Sequence, residues 1–228
     1  MGLAHSPSVI TDGLMIYLDA ANTRSYPGTG NTWYDLRGNR NFTLQNNPPF
    51  FANSAGGSIG FTAANSHWAS SSTSLSLMTR FSVEVWHYYT GVLTGPAPCI
   101  VTEFYYGSNG QINFNLGSTT NGIGLKIGYY NGGWNESSIY ALSANNWYHI
   151  VGNYDGANFR LYINGVNQVT TANTGTPTAN TGGIRLMRRW DGDEYWSGNL
   201  NIVKIYNRAL SATEIKQNFE ATRDRYGI

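Results

Sequence analysis

Asn146–Val169 reads N-W-Y-H-I-V-G-N-Y-D-G-A-N-F-R-L-Y-I-N-G-V-N-Q-V, and this stretch decides the fold. Asp155-Gly156 and Asn164-Gly165 are turn dipeptides flanked by alternating apolar residues, a strong local signal for hairpins. Phe159, Leu161 and Ile163 share one face of the middle strand, and Arg160 and Tyr162 take the other, because side chains alternate along a strand. The stretch is an antiparallel meander with one buried face.

The same alternation marks strands on either side of it. Gly13–Asp19 is apolar on both faces, as in a strand inside a sheet. In Phe81–Tyr89, Phe81, Val83 and Val85 oppose Glu84, Trp86 and Tyr88; in Gly122–Tyr130, Ile123, Leu125, Ile127 and Tyr129 alternate with Gly124, Lys126 and Gly128. Further strands are read at Ser58–Phe61, Ile100–Tyr106, Gln111–Leu116, Ile139–Leu142, Ile184–Met187 and Asn199–Tyr206. About a dozen strands fit two packed sheets. Ala20–Pro49 reads as a loop rich in Asn, Gly and Pro, and residues 1–12 as an N-terminal arm, extended or disordered in the free protein and ordered only on assembly. The domain is thereby placed at residues 13–228. A single helix starts at Ser211. Ser211 and Glu214 have the spacing of a capping box, Leu210 and Ile215 that of a hydrophobic staple, and Ile215 and Phe219 form an apolar stripe.

Composition narrows the function. A chain of 228 residues suits one large all-β domain. Only 12% of residues are charged, against ~25% in an average domain, and Asn, Ser, Thr and Gly fill the deficit. The net charge of +1, with no basic stripe beyond Arg185, Arg188 and Arg189, argues against nucleic acid. Cys99 is the single cysteine, so no internal disulfide forms. The N-terminus lacks the pattern of a signal peptide, and no apolar run has the length to span a bilayer. These features point to synthesis in a cytoplasm and away from a membrane.

W-Y-H-I-V-G-N-Y-D-G at 147–156, L-Y-I-N-G at 161–165, F-S-V-E-V-W at 81–86, G-L-M-I-Y-L-D-A-A-N at 13–22 and G-N-L-N-I-V-K-I-Y-N-R-A-L-S-A-T-E-I at 198–215 together resemble laminin-G-like domains of the concanavalin A-like lectin/glucanase fold. The resemblance covers nearly the whole chain and implies a jelly-roll sandwich. Residues 17–41 and 205–228 also resemble the opening and ending of virion proteins of tailed phages, notably cyanophages and marine phages. There this domain sits on capsid or tail proteins. One departure falls at 61–68: the family has F-D-G-x-N-D-Y, whereas this chain has F-T-A-A-N-S-H-W. Thr62 and Ser66 replace two acidic residues, which tells against a calcium site carried over from relatives.

Glycoside hydrolysis needs two carboxyl groups ~5–10 Å apart across a bond. Glucanases of this fold place theirs as E-x-D-x-x-E on one strand, and that string is missing. Glu84 and Glu103 stand alone, and structural roles suit both; the expectation is a protein that is not an enzyme. Asp191-Gly192-Asp193-Glu194 lies between Trp190 and Trp196. Its carboxylates could supply oxygens to Ca²⁺, or form a solvated turn paired with Arg188 or Arg189, the reading favoured here. Tyr129, Tyr130, Trp134, Trp190 and Trp196 could stack on sugar rings or fill core and interface. Trp134, in Asn-Gly-Gly-Trp-Asn, is hardest to assign to the core, whereas Trp86 and Trp147, inside strands, belong to the core or its edge. His5, His67, His87 and His149 show no metal-ligand spacing. The sequons at Asn41 and Asn135 are read as chance matches.

The sequence therefore predicts a non-enzymatic virion protein that decorates a capsid or forms part of a tail or fibre, made in the host cytoplasm. Its partners are capsid or tail proteins and, through Trp134, Trp190, Asp191, Asp193, Glu194 and Trp196, a host surface glycan. The alternative is a lectin-like adhesion module not tied to a virion. Self-association into a homo-oligomer stays open, and no cofactor is needed.

Overall fold

A computed structural model describes residues 7–38, 40–75, 77–93, 95, 97–103, 110–119, 122–178, 182–190 and 192–228. Its strands are β1 (Leu14–Asp19), β2 (Thr32–Trp33), β3 (Phe42–Gln45), β4 (Phe50–Phe51), β5 (Ser58–Phe61), β6 (Trp68–Ser71), β7 (Phe81–Leu93) and β8 (Cys99–Glu103). They continue with β9 (Gly110–Thr119), β10 (Gly122–Tyr130), β11 (Trp134–Glu136), β12 (Asn146–Tyr154), β13 (Asn158–Ile163), β14 (Val166–Ala172), β15 (Ile184–Leu186) and β16 (Trp196–Tyr206). Helix α1 (Ala212–Glu220) follows. The first sheet runs β14-β13-β12-β7-β16-β5-β4, with β1 also paired to β16; the second runs β11-β10-β9-β8-β15-β6-β3-β2. All pairings between these strands are antiparallel. The result is a two-sheet sandwich of the concanavalin A-like kind.

The meander forms as read: β12 pairs with β13 and β13 with β14. Asn164 and Gly165 both have left-handed φ, 50° and 78°, the geometry a two-residue hairpin turn requires. Phe81, Val83 and Val85 of β7, Phe159, Leu161 and Ile163 of β13, and Leu125, Ile127 and Tyr129 of β10 all lie in the core between the sheets. The opposite face of the first sheet is buried too, beneath α1. Ile215 packs with Leu14, Val151, Tyr162, Tyr206 and Leu210, and Phe219 with Trp86 and Ile202. The Ser211–Glu214 capping box is present in both directions, and the staple pair Leu210 and Ile215 meet in one cluster.

The structure corrects several expectations. The Ala20–Pro49 loop contains β2 and β3, too short for their periodicity to register. Ile139–Leu142 is no strand; a single bridge joins Tyr140 to Leu125. Ser138 donates its N–H to Thr171 Oγ1 at 2.8 Å, which draws the chain from β10 toward the other sheet. Of the N-terminal arm, the described part is docked and not free. Ile10 donates its N–H to Asn218 Oδ1 (2.7 Å) and accepts from the Tyr206 hydroxyl (3.1 Å), and the Ser8 carbonyl accepts from Gln217 Nε2 (2.7 Å). Ile10 also packs on the apolar cluster beneath α1; a single apolar contact between polar bonds leaves no periodicity to read. No helix among the described residues is long and apolar enough to cross a membrane.

Candidate functional site

The carboxylates come first, since they separate an enzyme from a binding domain. Glu84 is fully buried beneath α1. Its Oε1 accepts from Lys204 Nζ at 2.7 Å and its Oε2 from Asn218 Nδ2 at 2.6 Å. His149 Nε2 lies 3.1 Å from Oε1, without hydrogen-bond alignment. Burial raises the Glu84 pKa, but the Lys204 ammonium and His149 overcome it and bring the group to about 2. Glu103 is equally buried, in the other sheet, and accepts the Leu75 N–H at 2.6 Å. The two thus sit on opposite sheets, each in its own network.

Trp134 opens β11, the edge strand of the second sheet, and is 46% exposed. The Tyr130 ring meets it edge to face at 66°, with centroids 5.0 Å apart. A run of amides holds this corner. Asn131 donates to the Thr176 carbonyl (3.1 Å), Asn135 Nδ2 to Asn131 Oδ1 (2.8 Å), and Asn173 Nδ2 to Asn135 Oδ1 (3.0 Å). Asn173 Oδ1 in turn accepts from the Tyr129 hydroxyl (2.7 Å). The chain of bonds ties the edge of one sheet to the segment following β14 of the other. It also commits the Asn135 amide, which bears on the sequon there. An exposed indole edged by a second ring and surrounded by amides suits a ligand with an apolar face and a polar rim, such as a sugar.

The loop from Trp190 to Glu194 is built differently. Asp191 lies outside the described residues, as do His5 and the Tyr105–Tyr106 region. Arg189 pairs with Glu194, whose Oε2 also accepts the Ala97 N–H at 2.6 Å. Arg188 approaches Asp193 at 3.7 Å and donates to the Gly192 carbonyl at 3.0 Å. The described acids of this loop therefore face arginines, and among the described residues no cluster of three or more His, Cys, Asp or Glu could hold a metal ion. At 61–68 the chain likewise supplies its own partners. Ser197 Oγ accepts the Ala63 N–H (2.9 Å) and His67 Nδ1 the Thr62 N–H (3.3 Å).

Trp196 does not belong to a recognition surface. It starts β16, is fully buried in the core, and donates its indole N–H to His87 Nε2 at 2.8 Å. The Met187 carbonyl accepts the Trp196 N–H, so the acidic loop is a hairpin whose return strand already includes this residue. Tyr129 is core as well. Trp190 is half-buried, with the Arg189 guanidinium 5.8 Å from its ring. Arg188 at 4.6 Å and Arg185 at 5.5 Å both lie over the Trp68 ring, a cation–ring cluster that linear spacing does not reveal. Nor does the fold unite the two predicted patches. Trp134 is on β11 and Trp190 follows β15, four strand spacings away, or ~19 Å.

The family model described as "Concanavalin A-like lectin/glucanases superfamily" matches residues 56–216. No curated protein matches the chain. Among solved structures, domain 4 of an extracellular arabinanase from Geobacillus stearothermophilus, in complex with arabinotriose, is similar with a TM-score of 0.71 and 16% identity, over 90% of this chain and 97% of that one. The binding domain of Paraclostridial Mosquitocidal Protein 1 gives 0.68 and 16%, over 91% and 52%. The receptor binding domain of botulinum neurotoxin type G gives 0.66 and 15%, over 92% and 51%. The chain thus spans about half the length of the two toxin domains. At these identities the likeness is one of fold.

Proposed function

The chain belongs to the concanavalin A-like lectin/glucanases superfamily, and from that premise we propose that it is a non-catalytic domain that binds glycan at the Trp134 corner and is carried on the virion of a tailed phage. The exposed indole of Trp134, set against Tyr130 and braced by the Asn131–Asn135–Asn173 amides, carries the reading. The arabinanase domain bound to arabinotriose is a precedent on the same fold for a sugar ligand. Burial of Glu84 and Glu103 in separate networks supports the non-enzymatic part. Arginine pairing of Asp193 and Glu194 supports a site that works without a metal.

The virion setting rests on the resemblance at 17–41 and 205–228. Those two stretches form one unit in space: Arg225 Nη1 donates to both oxygens of Asp19 at 2.9 Å. In this reading the protein is made in the host cytoplasm and docks onto capsid or tail proteins. A glycan array read with the parent and Trp134→Ala tests the binding. Loss of an aromatic anchor weakens binding about tenfold or more while the circular dichroism spectrum is retained. Equal binding by the folded variant refutes the site. A mass-spectrometric inventory of purified particles that lacks the chain refutes the setting.

A further inference from the structure

A second cleft lies at the other edge of the same sheet. Its volume is about 540 Å³, within the ~300–1,000 Å³ typical of small-ligand sites. The loop Tyr26–Asn31 forms one wall and Asn47–Phe50 the other. The Tyr26 and Phe50 rings meet at the base with centroids 5.2 Å apart.

Both walls are preformed. The Tyr26 hydroxyl donates to the Gly30 carbonyl at 2.9 Å, and the Asn31 carbonyl accepts the Leu44 N–H at 2.7 Å. Across the cleft the Pro49 carbonyl accepts the Gly60 N–H at 2.8 Å. Gly28 has a φ of +89°, and a Cβ there would stand 3.5 Å from Phe50 Cε1. Glycine therefore makes the turn and also keeps a side chain off that ring. Thr29, Asn31 and Asn47 are exposed at the rim. Among the described residues their side chains make no hydrogen bond, unlike the committed amides beside Trp134.

Among the described residues, no charged side chain lines the cleft. A charged ligand would lose water there and meet no counter-charge. A ring with an apolar C–H face and hydroxyls around its rim matches both the aromatic base and the open rim groups. We infer that the Tyr26–Phe50 cleft is a second binding site, selective for an uncharged sugar residue. It lies six strand spacings from Trp134, counted from β11 to β3, or ~29 Å, so one chain could engage two sugars at once.

The test is an amide chemical-shift titration of the ¹⁵N-labelled full chain. The probes are the methyl glycosides of glucose, galactose and mannose, N-acetylglucosamine, and the charged sugars glucuronic acid and sialic acid. Neutral sugars are expected to move the amides of Gly28–Asn31 and Asn47, and the charged sugars to leave them in place. Thr29→Trp fills the mouth and is expected to abolish these shifts. Asn31→Ala removes one hydrogen-bonding group and is expected to weaken binding about tenfold. Both positions are exposed and outside the strands, and the spectrum itself reports whether the fold persists. Trp134→Ala is expected to leave the cleft shifts unchanged. The inference is overturned if no probe moves these amides at its solubility limit, if charged sugars bind as well as neutral ones, or if the shifts survive Thr29→Trp. Shifts confined to Asn131–Asn135 would overturn it while leaving the Trp134 corner standing.

Discussion

Replacing Glu84 by Gln keeps the size of the side chain and removes its charge, so it isolates the ion pair beneath α1. In the parent, Lys204 Nζ and Glu84 Oε1 are 2.7 Å apart and both side chains are wholly inaccessible. Glu84→Gln leaves an ammonium there with no anion. Removing one partner of a buried pair costs ~3–5 kcal/mol, a large share of the ~5–15 kcal/mol that holds a typical domain together. Lys204→Met should cost a similar amount by leaving the carboxylate alone. The double variant Glu84→Gln/Lys204→Met buries no charge and should recover most of the loss, to within ~1–2 kcal/mol of the parent. Urea unfolding followed by tryptophan fluorescence measures this. The midpoint should fall in each single variant with an unchanged slope, and return in the double. A Glu84→Gln midpoint equal to the parent's, or losses that simply add in the double variant, would refute the pairing.

Two further outcomes follow from polar groups, one pair buried and one at the helix start. His87 accepts from Trp196 at Nε2 and directs Nδ1 at the Asn199 carbonyl (3.1 Å), and burial lowers its pKa from 6.5 to about 3. The unfolded chain then binds a proton first, so stability is full above pH 6.5 and falls between there and pH 3, by up to ~1.4 kcal/mol per pH unit. Glu84 adds a second loss as pH drops from 4.5 toward 2. Unfolding free energies measured from pH 7 to pH 4 should show this slope, and His87→Gln should reduce it above pH 4.5, leaving the part contributed by His67, whose pKa burial also lowers; a flat parent profile contradicts the assignment. Ser211→Ala should cost ~1 kcal/mol through the lost N-cap, since Ser211 Oγ accepts the Glu214 N–H at 3.3 Å. An unchanged urea midpoint would show that the cap contributes nothing.

The parts of this fold that were legible share one property: their signal is local. Alternation in Phe81–Tyr89 and Phe159–Ile163, the Asn-Gly and Asp-Gly turns, and the Ser211–Glu214 box each depend on residues within a few positions. The unread parts depend on distant partners. Glu84 looks isolated in sequence because its counter-ion is Lys204, 120 residues away. Trp196 looked like a loop aromatic because polar residues precede it, yet they are only the tip of the β15–β16 hairpin. Trp134 was legible as an exposed aromatic from its Gly-Gly and Asn neighbours. The amides around it were not, because Asn135 and Asn173 meet only when the edges of the two sheets come together.

The same packing limits where a partner can bind. The outer face of the first sheet around Trp86 is closed by α1, and by Tyr226, whose ring stacks on Trp86 at 3.6 Å. Ile10 and Asp12 dock onto Asn218 and Arg208 at its margin. A ligand is therefore left the second sheet, the sheet edges, the loops at their ends, and the uncovered part of the first sheet around β4, β5 and the end of β7, where Phe51 and Val92 are exposed. The chemistry left there is mainly neutral. Glu136 is paired with Lys126, Asp155 with Arg160, and Glu194 with Arg189. What remains for a partner at the two sheet edges is a set of rings, hydroxyls and amides: Trp134 with Tyr130 at one, Phe50 with Thr29, Asn31 and Asn47 at the other. Contacts of that kind are little screened by salt. Binding at either edge should thus hardly change with ionic strength, whereas recognition of an anionic glycan through the Arg185–Arg189 region would weaken steeply as salt rises.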